Sequence, residues 1–148
     1  MIRNLDPKAE LPWDLLLEAD PNRQLVTSYI DDSQLLVYEE ETIVGVIAFQ
    51  EREDEWEIMN LAVAEDQRGK GIAGQLLDAS FAKMNRQAPK KKSVIKTGDL
   101  PSPALHLYMK KGFQPTALIE NYFVTHYPEP IYENGQQLRN QLILTKNF

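Results

Sequence analysis

The spacing of apolar residues changes along this chain, and each change marks an element. Leu15, Leu16 and Leu17 bunch within LPWDLLLEAD, and Asp20-Pro21 closes the run, which predicts a short first helix. In NRQLVTSYIDDS, Leu25 pairs with Tyr29 and Val26 with Ile30 at the i,i+4 spacing of a second helix. The period then shortens. Residues 34–40, QLLVYEE, and 43–52, IVGVIAFQER, are rich in β-branched and aromatic side chains, and a short polar stretch between them predicts a hairpin. EWEIMNLAV, 55–63, alternates at first and then turns apolar, as a central strand does. Strict alternation puts Glu57 on one face with Met59, Leu61 and Val63, and Asn60 on the other.

The helical period returns from about Lys70 to Arg86, where Ile72, Leu76, Leu77, Ala79, Phe81 and Met84 form one broad face. SVIKTG, 93–98, predicts a short strand ended by Gly98. SPALHLYMKKG, 102–112, predicts a helix with Ser102 as N-cap, Pro103 at its first position and Gly112 as C-cap. FQPTALIENYFV, 113–124, and LRNQLILTKNF, 138–148, predict two closing strands around a proline-rich connection. The order is helices, an antiparallel meander, then strand, helix, strand, helix and strands. It predicts a mixed α/β fold, with residues 1–148 as a single domain.

Composition narrows what such a domain does. A chain of 148 residues with 43% hydrophobic and 26% charged positions suits an ordinary soluble core. Without cysteine there is no disulfide, thiolate ligand or sulfur nucleophile, which fits a reducing cytoplasm. A net charge of -6 and a pI of about 4.9 argue against nucleic-acid binding and favour cationic substrates. The first residues lack the apolar segment of a signal peptide, and no run has membrane-spanning length, so no membrane partner is expected.

The chemistry concentrates in AVAEDQRGKGIAGQLLDASF, 62–81, where Gly69, Gly71 and Gly74 surround Lys70 and follow Arg68. Glycine inside a helix costs about 1 kcal/mol relative to alanine, so three at a helix start ask for a reason. A glycine turn between strand and helix exposes backbone amides at the positive end of the helix dipole, where phosphate binds. A tight turn with two solvated basic residues is the plainer alternative. The Walker A pattern fails, because the lysine comes too early and Gln75 follows Gly74. Residues 69–74 match Gly-x-Gly-x-x-Gly, but antiparallel strands precede them and PKKKS stands where the acidic residue of a dinucleotide site belongs.

LAVAEDQRGKGIAGQLL instead resembles the acetyl-CoA pyrophosphate loop of the GNAT superfamily of N-acetyltransferases, Gln/Arg-x-x-Gly-x-Gly/Ala. Arg68 matches the first residue, and Gly71 and Ala73 the two small ones. ALHLYMKKGF, 104–113, resembles a second segment of that family, Ala-x-x-Leu-Tyr-x-Lys-x-Gly-Phe. The resemblance runs from about residue 34 to the end, and more loosely over the first helices. It implies a GNAT-type fold, a mostly antiparallel twisted sheet flanked by helices. It also implies direct transfer of an acetyl group from acetyl-CoA to an amine of a small molecule or protein, with no metal. The amides of Arg68, Gly69, Lys70, Gly71, Ile72 and Ala73 would wrap the CoA diphosphate. The strand before the loop would splay from the next, so that pantetheine bonds to the backbone of Leu61, Ala62 and Val63 like an added strand. One departure is the asparagine many members carry before the second helix. TGDLPSPALHLY has none, and Asp99 and Ser102 are the candidates for its polar contact.

Acetyl transfer needs a neutral amine, an oxyanion stabiliser and a proton for the leaving thiolate. An alkylammonium has a pKa near ~10.4, so a base is useful. Glu57, on the strand leading to the loop, is the candidate base; a solvated strand end is its alternative. The resemblance puts the phenol of Tyr108 near the thioester sulfur, as the acid. Asn60 is either a buried polar group or a substrate contact. His106 diverges from Tyr108 by ~200° on a helix and reads as a packing or surface residue. His106 and His126, without a spaced carboxylate, make a poor metal site. Lys90 to Lys92 read as a solvated loop, with contact to the CoA 3′-phosphate as the alternative. Tyr122, Phe123, Tyr127 and Tyr132, among Glu120, Glu129 and Glu133, either border an amine site or form a rigid turn. A GNAT-fold module that holds acyl-CoA without turnover is the competing reading, and a homodimer stays open.

Overall fold

In the computed structural model, which describes residues 1–148, every element read from the first 90 residues is present. The chain divides into two units, residues 1–91 and 92–148. The first contains β1 (Ile2–Leu5), α1 (Trp13–Ala19), α2 (Arg23–Ile30), β2 (Gln34–Glu39), β3 (Ile43–Glu51), β4 (Glu55–Val63) and α3 (Ile72–Gln87). Its four strands pair in chain order, all antiparallel. Strand β1 has no counterpart in the sequence reading. It is four residues long, and the Arg3 guanidinium fastens it to β2 by donating to both carboxylate oxygens of Glu39, at 2.8 and 3.1 Å.

The two sheet faces take different helices. Leu16 of α1 and Val26, Tyr29 and Ile30 of α2 pack with Leu35, Val37, Val46, Ala48 and Ala62. Helix α3 lies on the opposite face at Gly45, where an added Cβ would meet Ile72 and Leu76 at 3.0 Å. A side chain at Gly45 would therefore push α3 and the loop before it off the sheet.

The alternation expected along 55–63 breaks in the middle. Ala48 pairs with Asn60 but Phe49 pairs with Ile58, so Met59 is an extra residue, a bulge. An extra residue reverses the parity of everything before it. Glu57, opposite Gln50, thus shares the α1/α2 face with Asn60 and Ala62, while Leu61 and Val63 lie on the α3 face. The expected grouping of Glu57 with Leu61 and Val63 is corrected on this point.

The second unit contains β5 (Lys92–Gly98), α4 (Pro103–Lys110), β6 (Gln114–Ile119), α5 (Tyr122–His126), β7 (Ile131–Glu133), β8 (Gln136–Leu138) and β9 (Gln141–Lys146). Strand β9 lies between β5 and β6, antiparallel to both, and β7 and β8 form a separate hairpin. The predicted strand 113–124 ends early. Asn121 takes a positive φ of 57°, and Tyr122–His126 turn into a helix. Likewise 138–148 begins in β8 before β9. The mixed α/β class stands, and no helix is long and apolar enough to cross a membrane.

Candidate functional site

The loop between β4 and α3 is built to leave amides free. After Val63 a 3-10 turn covers Glu65–Gln67, with Gln67 N–H on Ala64 C=O at 2.9 Å. Gly69 and Gly71 then take φ of 82° and 80°, the left-handed region that costs other L-residues energy. Gly71 is the N-cap of α3 and has no side chain to cap with, so the helix starts at Ile72, two residues later than predicted. The first helical hydrogen bond runs from Gln75 N–H to Gly71 C=O, 3.0 Å. The amides of Gly69 to Gly74 thus precede the helical ladder and find no carbonyl in the chain. Above Gly69 an added Cβ meets nothing within 4 Å, and above Gly71 only Gln75 Nε2 at 4.0 Å. Unpaired amides, a helix of 16 residues behind them and open space in front are what an anion seat needs.

The two cations differ. Lys70 donates to the neutral Gln67 Oε1 at 2.9 Å, beside the loop. Arg68 turns back instead: Nε donates to Val63 C=O at 3.1 Å and Nη2 pairs with the Glu18 carboxylate of α1. Neither Glu18 nor this pairing was legible in the sequence, since fifty residues separate the partners. A nearby open cleft lined by Glu40, Glu41 and Asp66 has the wrong sign for phosphate.

Along β4 the backbone sorts the three residues expected to meet pantetheine. Ala64 N–H bonds to Val44 C=O at 2.8 Å, so by alternation Ala62 also directs its backbone to β3, opposite Val46. Leu61 and Val63 present theirs to the other edge, where Arg68 already holds the Val63 carbonyl.

Glu57 is not the solvated strand end that was its alternative. It is buried, 8% exposed, and Arg52 Nη2 donates to its Oε1 at 3.2 Å. Arg52 also reaches Met59 Sδ at 3.8 Å, so it touches both the candidate base and the bulge. Asn60 is buried on the same face. Its Nδ2 donates to Leu16 C=O and to Tyr29 Oη, both at 3.0 Å, while its Oδ1 is buried without a partner. Burial pushes the Tyr29 phenol up to about 12, with the Asn60 hydrogen bond opposing and the charge of Asp20 adding to the rise. Gln50 completes this polar layer by donating to Tyr29 C=O at 2.7 Å and Ser33 Oγ at 3.1 Å.

Tyr108 belongs to the second unit. Helix α4 starts as predicted, with Ser102 Oγ accepting from Leu105 N–H at 3.1 Å and Pro103 at its first position. Its end is a Schellman motif. Lys111 is the C-cap and Gly112 follows it at φ 101°. Phe113 N–H bonds to Tyr108 C=O and Gly112 N–H to Met109 C=O, both 3.1 Å. The two rings that bracket the motif, Tyr108 and Phe113, meet edge to face with centroids 6.3 Å apart. The helix end therefore fixes the Tyr108 ring. Burial pushes its phenol up to about 12. Asp99 is engaged by Asn140 Nδ2 at 3.1 Å, and Asn140 Oδ1 accepts from Asn121 N–H at 3.0 Å. Both substitutes considered for the missing asparagine thus have structural duties. His106 and His126 are exposed, the latter stacked on Tyr122 at 4.4 Å, and no cluster of three or more metal-ligating side chains forms.

Comparison with known proteins bears on the family and the fold. A family model described as an acetyltransferase (GNAT) domain matches residues 31–115. A solved GNAT family acetyltransferase from Elizabethkingia anophelis with acetyl-CoA bound is 36% identical, with 100% of this chain and 97% of that chain covered and a TM-score of 0.93. A Bacillus subtilis acetyltransferase solved in complex with CoA is 30% identical over 99% of this chain and 97% of its own, with a TM-score of 0.90. Among curated proteins, an uncharacterized N-acetyltransferase of Bacillus subtilis strain 168 is 33% identical over 134 residues, 89% of this chain and 86% of the relative.

Proposed function

The chain belongs to the GNAT family of acetyltransferases, and on that footing we propose that it transfers acetyl from acetyl-CoA directly to a primary amine, with the whole chain serving as one transferase domain in the cytoplasm. The observation that carries the cofactor assignment is the run of unpaired amides from Gly69 to Gly74 at the start of α3. In this reading the amides of Gly69, Lys70, Gly71, Ile72 and Ala73 hold the CoA diphosphate and Lys70 supplies the mobile charge, while the Arg68 amide expected to join them is taken by Glu65 C=O at 3.4 Å. The outward backbone of Leu61 and Val63 takes the pantetheine arm, with Ala62 packing beneath it. Relatives named as acetyltransferases, two of them solved with acetyl-CoA or CoA, support turnover over a binding-only module.

Glu57, held in place by Arg52, is assigned as the base that takes a proton from the acceptor ammonium and leaves the neutral amine that attacks. Tyr108 is assigned to the leaving thiolate. A phenol near 12 stays protonated at neutral pH, but full proton transfer from it to a thiolate of pKa ~8.5 is uphill. Its contribution is then a hydrogen bond that strengthens as negative charge grows on sulfur. The neutral amine nitrogen attacks the thioester carbon, the carbon–sulfur bond breaks, and the second proton lost by the nitrogen goes to the thiolate, so that amide and free thiol leave while the proton held by Glu57 returns to solvent. The acidic balance of the chain favours a cationic acceptor, either a small amine or an amine of a protein.

The test is titration with acetyl-CoA followed by thiol release with a panel of amines. Binding with thiol release on at least one amine is expected. No binding would remove the cofactor assignment, and binding without release on any amine would leave only a CoA-binding module.

A further inference from the structure

Arg68 matches the family pattern's first position, yet its side chain faces away from the role its charge suggests. Nε is committed to the Val63 carbonyl at 3.1 Å and Nη2 to the Glu18 carboxylate. These partners lie on the strand before the loop and on the last turn of α1. A guanidinium neutralised by a carboxylate adds little field for a diphosphate, whereas Lys70 rests on an uncharged amide. Helix α1 has a second tie to β4, the Leu16 carbonyl that accepts from Asn60 Nδ2 at 3.0 Å. The two ties bracket the stretch from Asn60 to Arg68, which contains Leu61 and Val63, whose backbone is proposed to take the pantetheine arm.

We infer that Arg68 is a strut rather than a phosphate ligand, and that Glu18 is a positioning residue that sets the cofactor loop through it. The inference rests on the proposed acetyl-CoA site. The pair is roughly half exposed, 52% for Arg68 and 40% for Glu18, so its value for overall stability is small. Its value is orientation: two bonds from one planar fork fix the direction in which the chain leaves β4 and so where the free amides of Gly69 to Gly74 point. A strut and a ligand respond oppositely to loss of Glu18. Removing the carboxylate from a strut loosens the loop. Removing it from a ligand frees a cation for the diphosphate.

The experiment compares Glu18→Gln, Arg68→Gln, the double variant and Lys70→Gln. The strut predicts that Glu18→Gln raises the KM for acetyl-CoA roughly three- to tenfold while kcat stays within about twofold. It predicts that Arg68→Gln does the same and that the double variant is no worse than either alone, as for two residues acting through one bond. Lys70→Gln should flatten the dependence of CoA affinity on ionic strength, and Arg68→Gln should leave it as in wild type. Tighter or unchanged CoA binding in Glu18→Gln, or a flattened salt dependence in Arg68→Gln, would overturn the strut. A readout without cofactor separates this inference from the function itself. In the free protein the Arg68 Nε–H proton should exchange slowly by NMR, and faster in Glu18→Gln. If wild type binds no CoA, that exchange still decides: equal rates in the two proteins dismiss the strut, while unequal rates keep it and leave only the cofactor assignment wrong.

Discussion

At the scale of single residues, the assigned hydrogen-bond donor and base make separable predictions. Tyr108→Phe keeps the ring against Phe113 and removes only the hydroxyl. Acetyl-CoA affinity and stability should stay near wild type, and kcat should fall by on the order of 10²-fold under conditions where chemistry limits the rate. Because burial holds the phenol near 12, Tyr108 stays protonated through the working range and contributes no alkaline limb to the pH–rate profile. Equal kcat in wild type and Tyr108→Phe on a confirmed acceptor would free the thiolate from any need of it. Glu57→Gln should behave differently, with its largest loss near neutral pH and a shrinking defect as the free amine becomes abundant near ~10.4. A wild-type profile in Glu57→Gln would make the Arg52–Glu57 pair purely structural.

At the scale of elements, the loop is where the sequence was most informative. Glycine is selected by backbone conformation, and the positive φ at Gly69 and Gly71 is what their placement between a strand and a helix calls for. Gly71→Asp tests the ligand behind that conformation. The free loop has room for the side chain, since only Gln75 Nε2 stands as near as 4.0 Å. The expected result is a loss of CoA affinity of at least about tenfold, or ~1.4 kcal/mol, with the fold intact. Gly71→Asn is the control, because it tolerates the left-handed region without the charge. If both variants bind CoA like wild type, the diphosphate lies elsewhere. Other elements were less legible, for identifiable reasons. The bulge at Met59 is set by pairing with β3, and one extra residue moved Glu57 to the face opposite the one that strict alternation gave it. Strand β1 is too short to show a period, and β2 holds it through the Arg3–Glu39 fork. Helix α5 interrupts an apolar run that reads as strand, because Asn121 turns the backbone just before it. Arg52 and Glu18 bear on the site through contacts that no local pattern encodes.

At the scale of the whole molecule, the two buried phenols offer a test of the single-domain reading. Tyr29 lies in the first unit and Tyr108 in the second, and burial pushes each up to about 12. In the unfolded chain a phenol ionises near ~10. The folded state therefore holds more protons than the unfolded one between about 10 and 12, and stability falls as pH rises through that window. Below the unfolded value both contributions are fully present. An alkaline titration that follows phenolate absorbance beside far-ultraviolet circular dichroism should show Tyr29 and Tyr108 ionising late, together with loss of structure. Tyr29→Phe and Tyr108→Phe, each missing its own share of the late amplitude, assign the two signals. A chain that behaves as one domain loses both in a single step, because breaching either unit unfolds the other. Two steps, with the Tyr29 and Tyr108 amplitudes divided between them, would mean that each unit opens alone and would overturn the proposal that residues 1–148 act as one domain.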